Sequence, residues 1–238
     1  VWASLKHENV LPLLGVYTGA ANRLPSLVSE WMEDGTMTNY MRTFPPCSLE
    51  TQRMVSSIAS GLAYLHENGV IHADLKTQNV LISAKKTPLL TDFGFSLIRR
   101  QSQTTAQSFV TNPSTNNSHG TVRWMAPELF APQSDGIYHK NDKETDVWAY
   151  GMVIYELLTW KVPYHEKPND IITMLAIIQG ELPIMPSGID HGSSGMLDAF
   201  WKLCLACWKP RSERPTAEKL VHLISSRTSS LIIVIIIY

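Results

Sequence analysis

The sequence predicts an α+β fold. A small front part, residues 1–33, carries strands, and a larger, mainly helical part spans residues 34–227. Three observations lead there. Two short apolar runs between residues 10 and 31 are broken by a polar turn, the mark of a hairpin. After Met32-Glu33-Asp34-Gly35-Thr36 the pattern becomes helical. From Val147 to Leu158 the chain is apolar around almost its whole circumference, which in a soluble fold means a helix buried in the middle of a lobe.

The elements follow in order. Val10 to Tyr17 and Pro25 to Trp31 read as strands joined by a turn around Gly19 to Arg23. Met54, Ile58, Leu62 and Leu65 recur at helical spacing, so Leu49 to His66 is a helix that Asn68-Gly69 terminates. A strand is expected next, leading into His72. Val80 to Ile82 and Pro88 to Thr91 form a hairpin that sets Asn79 and Asp92 at neighbouring strand ends. Asp146 stands at the start of the buried helix, where a carboxylate accepts backbone N–H groups. Further helices are expected at Ile171 to Gln179, Gly195 to Cys207 and Thr216 to Ser225. Residues 228–238 are expected to lie outside the domain. They carry the uncharged, β-branched run Leu231 to Tyr238, prone to β-aggregation as a free end.

Composition narrows the function classes. With 20 basic and 21 acidic residues and a net charge of -1, the chain has no excess of cations for a nucleic-acid clamp. Cys47, Cys204 and Cys207 are too few, and odd in number, for a disulfide framework, which points to a reducing, cytoplasmic setting. Cys204 and Cys207 share the apolar face of a helix, and no second pair completes a zinc site. No run reaches the roughly 20 apolar residues needed to span a bilayer.

The chemistry lies in three runs: His72-Ala73-Asp74-Leu75-Lys76-Thr77-Gln78-Asn79, then Thr91-Asp92-Phe93-Gly94, then Gly120-Thr121 to Pro127-Glu128. In this order they resemble the protein kinase superfamily. The runs Trp124-Met125-Ala126-Pro127-Glu128, Asp146 to Gly151, and Cys207-Trp208-Lys209-Pro210 with Arg214-Pro215 resemble its tyrosine-kinase-like group of serine/threonine kinases. The likeness covers about residues 1 to 225, and the His-Ala-Asp variant and polar loop are similar to kinases of mushroom-forming fungi.

That resemblance implies a bilobal protein-kinase-like fold, a partial small lobe and a complete large lobe, using ATP and Mg2+ to phosphorylate Ser/Thr hydroxyls of protein substrates. Asp74 would accept the hydroxyl proton and Lys76 would contact the transferred phosphate. Thr121 would support both, while Asn79 and Asp92 would hold magnesium. Leu27 to Met32 resembles the segment that hydrogen-bonds adenine, with Ser29, Glu30 and Met32 along it, Asp34 near the ribose and Leu81 beneath the ring. His72 and Phe93, with Leu13, would couple the lobes, and Glu128 and Arg214 would form a buried ion pair. Ala73 stands where the motif usually has an arginine that pairs with a loop phosphate. Any activity is therefore expected to be independent of phosphorylation at Ser102, Thr104, Thr105, Ser108 or Thr111. Asn116-Asn117-Ser118 is a glycosylation sequon that a cytosolic setting leaves inert.

Val1 to His7 resembles the end of a kinase's first helix, and the sequence holds neither a glycine-rich phosphate loop nor a strand lysine. A kinase domain truncated at its front is the expectation. The alternative is a non-catalytic, kinase-like binding module.

Overall fold

A computed structural model describes residues 2–19, 26–93, 121–130, 138–186 and 194–225. The runs Ser102 to Thr111 and Asn116 to Ser118, with Gly94, Gly120 and the tail 228–238, lie outside them.

The front part is a hairpin of two strands, β1 (Gly15–Tyr17) and β2 (Ser26–Val28), paired antiparallel with Val16 opposite Leu27. Both are shorter than the apolar runs that predict them. The stretch before β1 joins the other lobe instead: Val10 bridges Leu90 in parallel, and Leu11 N–H donates to the Leu90 carbonyl at 2.9 Å. After a short helix α1 (Met37–Tyr40), helix α2 (Leu49–Glu67) begins at a capping box in which Ser48 and Thr51 satisfy each other's backbone N–H groups. Its buried stripe includes Met54, Ile58, Leu62 and Leu65. Gly69, at φ +71°, ends it in the left-handed region that glycine enters without strain.

The strand expected after Gly69 is absent. Residues 70–76 form no ladder: the Val70 N–H returns to the Leu65 carbonyl, and those of His72 and Ala73 are held by a side chain from the large lobe. The hairpin after them is present as β3 (Val80–Ile82) and β4 (Pro88–Leu90), with Leu81 opposite Leu89.

Helix α3 (Lys143–Thr159) is the axis of the large lobe, with every residue from Thr145 to Leu158 buried. Its cap is Asp142, whose carboxylate accepts the Thr145 N–H at 2.9 Å. Asp146 sits in the first turn and has another task. Helix α4 (Asp170–Ile178) starts at Asn169, and α5 (Ser194–Cys207) packs most extensively against α3. Gly151 permits that approach, since a Cβ there would lie 2.6 Å from Trp208 Nε1. Residues 217–225 form a last helix, α6. Cys204 and Cys207 are buried free thiols in the core. Among the described residues no helix is long and apolar enough to cross a membrane.

Candidate active site

Asp146 explains the missing strand. Its Oδ2 accepts the His72 N–H at 2.8 Å and a bond from His66 Nε2 at 2.8 Å, while Oδ1 accepts the Ala73 N–H at 2.7 Å. The carboxylate of a buried helix therefore serves another segment's backbone rather than capping its own. Two residues pay conformationally for the resulting shape: Ala73 has φ +66° and Asp92 φ +59°. Strain at non-glycine positions of this kind collects at functional sites.

The next residues converge. Lys76 Nζ lies 3.1 Å from Asp74 Oδ2 and donates to Thr121 Oγ1 at 3.1 Å. Asn79 Nδ2 donates to the Asp74 carbonyl at 2.7 Å and to Asp74 Oδ2 at 2.9 Å. Asp74 Oδ1 is buried without a partner among the described residues. The Thr91 N–H donates to the Asn79 carbonyl at 3.1 Å, so Asp92, exposed one residue further on, stands beside this cluster.

His72 is wholly buried, and burial lowers its pKa against the pull of Asp146, Asp74 and Asp92, which keeps the ring neutral. The Asp74 N–H lies 3.4 Å from its Nδ1, placing the ring proton on Nε2. Phe93 meets the His72 ring edge-on at 6.3 Å and Trp2 at 5.5 Å. Trp2 is the stacking partner that sequence reading missed. Leu13 is only half-buried.

The expected adenine segment, Leu27 to Met32, begins in β2 and then runs without regular structure into a turn closed by Gly35 N–H on the Met32 carbonyl at 3.1 Å. Met32 is buried in a small cluster with Leu11 and Leu89, and Leu81 and Trp2 pack against it. That apolar surface is separate from the main core. Ser29 is half-buried and Glu30 exposed. Both carboxylate oxygens of Asp34 are held by Lys86 Nζ, at 2.7 and 2.8 Å. Thr36 instead pairs with Leu81, which brings it to the edge of the cluster.

Glu128 and Arg214 are joined by two bonds, Nη1 to Oε1 at 2.5 Å and Nη2 to Oε2 at 2.9 Å. A cavity of about 540 Å³ is lined by His7, Tyr64, His66, Lys143, Arg214 and His222. None of the Asp74 cluster lines it.

A divalent metal suits the residues present. Asn79 commits its amide nitrogen to Asp74, which leaves its amide oxygen, and Asp92 offers a carboxylate at the adjacent strand end. Magnesium favours such hard oxygens, few from protein and the rest from phosphates and water.

The protein kinase domain family matches residues 1–223, so the chain belongs to the protein kinase family. Its relatives include proteins named as serine/threonine kinases and as ephrin receptors. The Mitogen-activated protein kinase kinase kinase dlk-1 of Caenorhabditis elegans is 34% identical over 74% of this chain. Serine/threonine-protein kinase STY46 of Arabidopsis thaliana is 31% identical over 85%, and the human Ephrin type-A receptor 8 is 28% identical over 95%. The chain spans 17%, 32% and 21% of the length of these three relatives, respectively.

Proposed function

We propose that this chain transfers the terminal phosphoryl group of ATP to serine and threonine hydroxyls of proteins. The observation that carries the reading is the bonded set Asp74, Lys76, Thr121 and Asn79 beside Asp92. Asp74 Oδ1, buried without a described partner, is the acceptor for the substrate hydroxyl proton. Lys76 lies against Asp74 and Thr121, where its charge meets the phosphoryl group as it moves. Asn79 and Asp92 hold Mg2+, which supplies charge neutralisation to the phosphates when bound. Leu81, packed beside Met32, would lie beneath the base, and Thr36, which pairs with Leu81, would border the ribose. Three free, buried thiols are consistent with work in a reducing compartment such as the cytoplasm.

The test is transfer of labelled phosphate from Mg-ATP to a degenerate serine/threonine peptide set by the purified chain. Asp74→Asn should lower the rate about 10²-fold or more, since a positioned base contributes about 10²–10⁴. An Asp74→Asn protein as fast as the parent, or a folded parent that transfers nothing, would overturn the proposal.

A further inference from the structure

Glu156 lies in the C-terminal half of α3 with 1% of its surface exposed, within a stretch otherwise free of charged side chains from Val147 to Leu158. Its Oε1 accepts the Thr77 hydroxyl at 2.7 Å. Oε2 accepts the Thr77 N–H at 3.2 Å and the Trp124 indole N–H at 2.8 Å. Thr77 Oγ1 is also 2.8 Å from Thr38 Oγ1 on α1. Burial pushes the Glu156 carboxyl up to about 7, opposed by the three donated bonds and by the charge of Lys76. A buried acid bound only by neutral donors is a poor choice for stability, because an apolar side chain would fill the same space without desolvating a charge.

The bonds close a ring. Thr77 follows Lys76 in the chain, Lys76 Nζ bonds Thr121, the Trp124 N–H bonds the Thr121 carbonyl at 3.1 Å, and Trp124 returns to Glu156. Two segments 45 residues apart in sequence are thus held in register at Lys76 and Thr121. We infer that Glu156 is a positioning residue for phosphoryl transfer, fixing Lys76 against Thr121 by anchoring Thr77 and Trp124 to one carboxylate. What Lys76 and Thr121 do once aligned rests on the proposed kinase reading; the anchoring does not.

Protonation can be tolerated within this ring. A proton on Oε1 would be donated to Thr77 Oγ1, which in turn would donate to Thr38. Glutamine at 156 reproduces that arrangement with its amide nitrogen in place of Oε1, whereas leucine abolishes it.

The experiment uses the full chain, ¹⁵N-labelled, with Glu156→Gln, Glu156→Leu and Trp124→Phe variants. The Trp124 indole resonance, assigned by its loss in Trp124→Phe, should titrate with a midpoint near pH 7 and become flat in Glu156→Gln. Amide exchange at 76–79 and 121–125 should quicken about tenfold or more in Glu156→Leu and stay near the parent rate in Glu156→Gln, with the α3 core unchanged in both. If Glu156→Leu does not fold, Trp124→Phe, which opens the ring at one bond, should quicken exchange at 121–125. A titration that survives Glu156→Gln, or unchanged exchange in a folded ring-opening variant, would overturn the inference. None of these readouts needs catalysis, so a failure of the kinase reading would show separately as an absence of transfer by a parent protein whose ring is intact.

Discussion

Replacing Arg214 with methionine removes a guanidinium whose side chain is 1% exposed and leaves Glu128, 12% exposed, without its hydrogen-bonded cation and with only the longer-range charge of Arg211. The lost contacts are specific. Arg214 also donates Nε to the Lys209 carbonyl at 2.9 Å and Nη1 to the Glu144 carbonyl at 3.1 Å, and it lies 5.0 Å over the Trp148 ring. Unit charges about 4 Å apart at an effective dielectric near 20 attract by about 4 kcal/mol. Breaking such a pair from one side costs about 3–5 kcal/mol, while replacing both partners by neutral groups of similar volume is often close to neutral. Arg214→Met should therefore lose about 3–5 kcal/mol, and Arg214→Met with Glu128→Gln should recover a large part of it. Urea unfolding followed by tryptophan fluorescence measures both. With a slope of about 1–3 kcal/mol/M, the single variant should unfold at least about 1 M earlier than the parent. A single variant unfolding within about 0.3 M of the parent, or a double variant less stable than the single, would refute this account of the pair.

Three other outcomes are expected. Folded Glu156 keeps its proton up to about pH 7 and the unfolded chain releases it near 4.5, so the folded state binds more protons between those values. Its contribution is complete below the unfolded pKa and declines as pH rises through the folded one, by about 3 kcal/mol in all. Urea midpoints across pH 4.5 to 8 should show that slope in the parent and lose it in Glu156→Gln. Gly151→Ala places a Cβ 2.6 Å from Trp208 Nε1 and 2.8 Å from Cys207 Cβ, forcing α3 and α5 apart at a cost of about 1–3 kcal/mol, read as a lowered Tm. Thr121→Val removes the oxygen that accepts from Lys76 and should slow phosphate transfer about 10²–10³-fold, with the melting temperature little changed.

What the sequence disclosed was local chemistry at fixed spacing. Asp74, Lys76 and Asn79 lie within one short run, and the β3–β4 hairpin pairing Val80 with Leu90 follows directly from two apolar triplets around a turn. Glu128 and Arg214 were legible because each sits in a distinctive run, although 86 residues separate them. Tertiary pairing was harder to read. Nothing in the apolar stretch around Val70 reveals that Asp146 will take the N–H groups of His72 and Ala73 and so prevent a strand. Trp2 gives no periodic signal, and only the packed lobe shows it against Phe93. Asp34 was assigned by its place after the adenine segment, but the competing cation, Lys86, is 52 residues away. Glu156 left one usable sign: an acid within the apolar stretch Val147 to Leu158, which must find donors or lose its charge.

The grip of Asp146 on main-chain N–H groups also bears on how freely this loop can change in evolution. Because the anchor reads amide protons that every residue except proline supplies, the side chain at position 73 is not what holds the bend. An alanine can therefore stand at position 73 without the loop losing its shape. Substitution there can add or erase sensitivity to a neighbouring charge while the scaffold for catalysis stays in place.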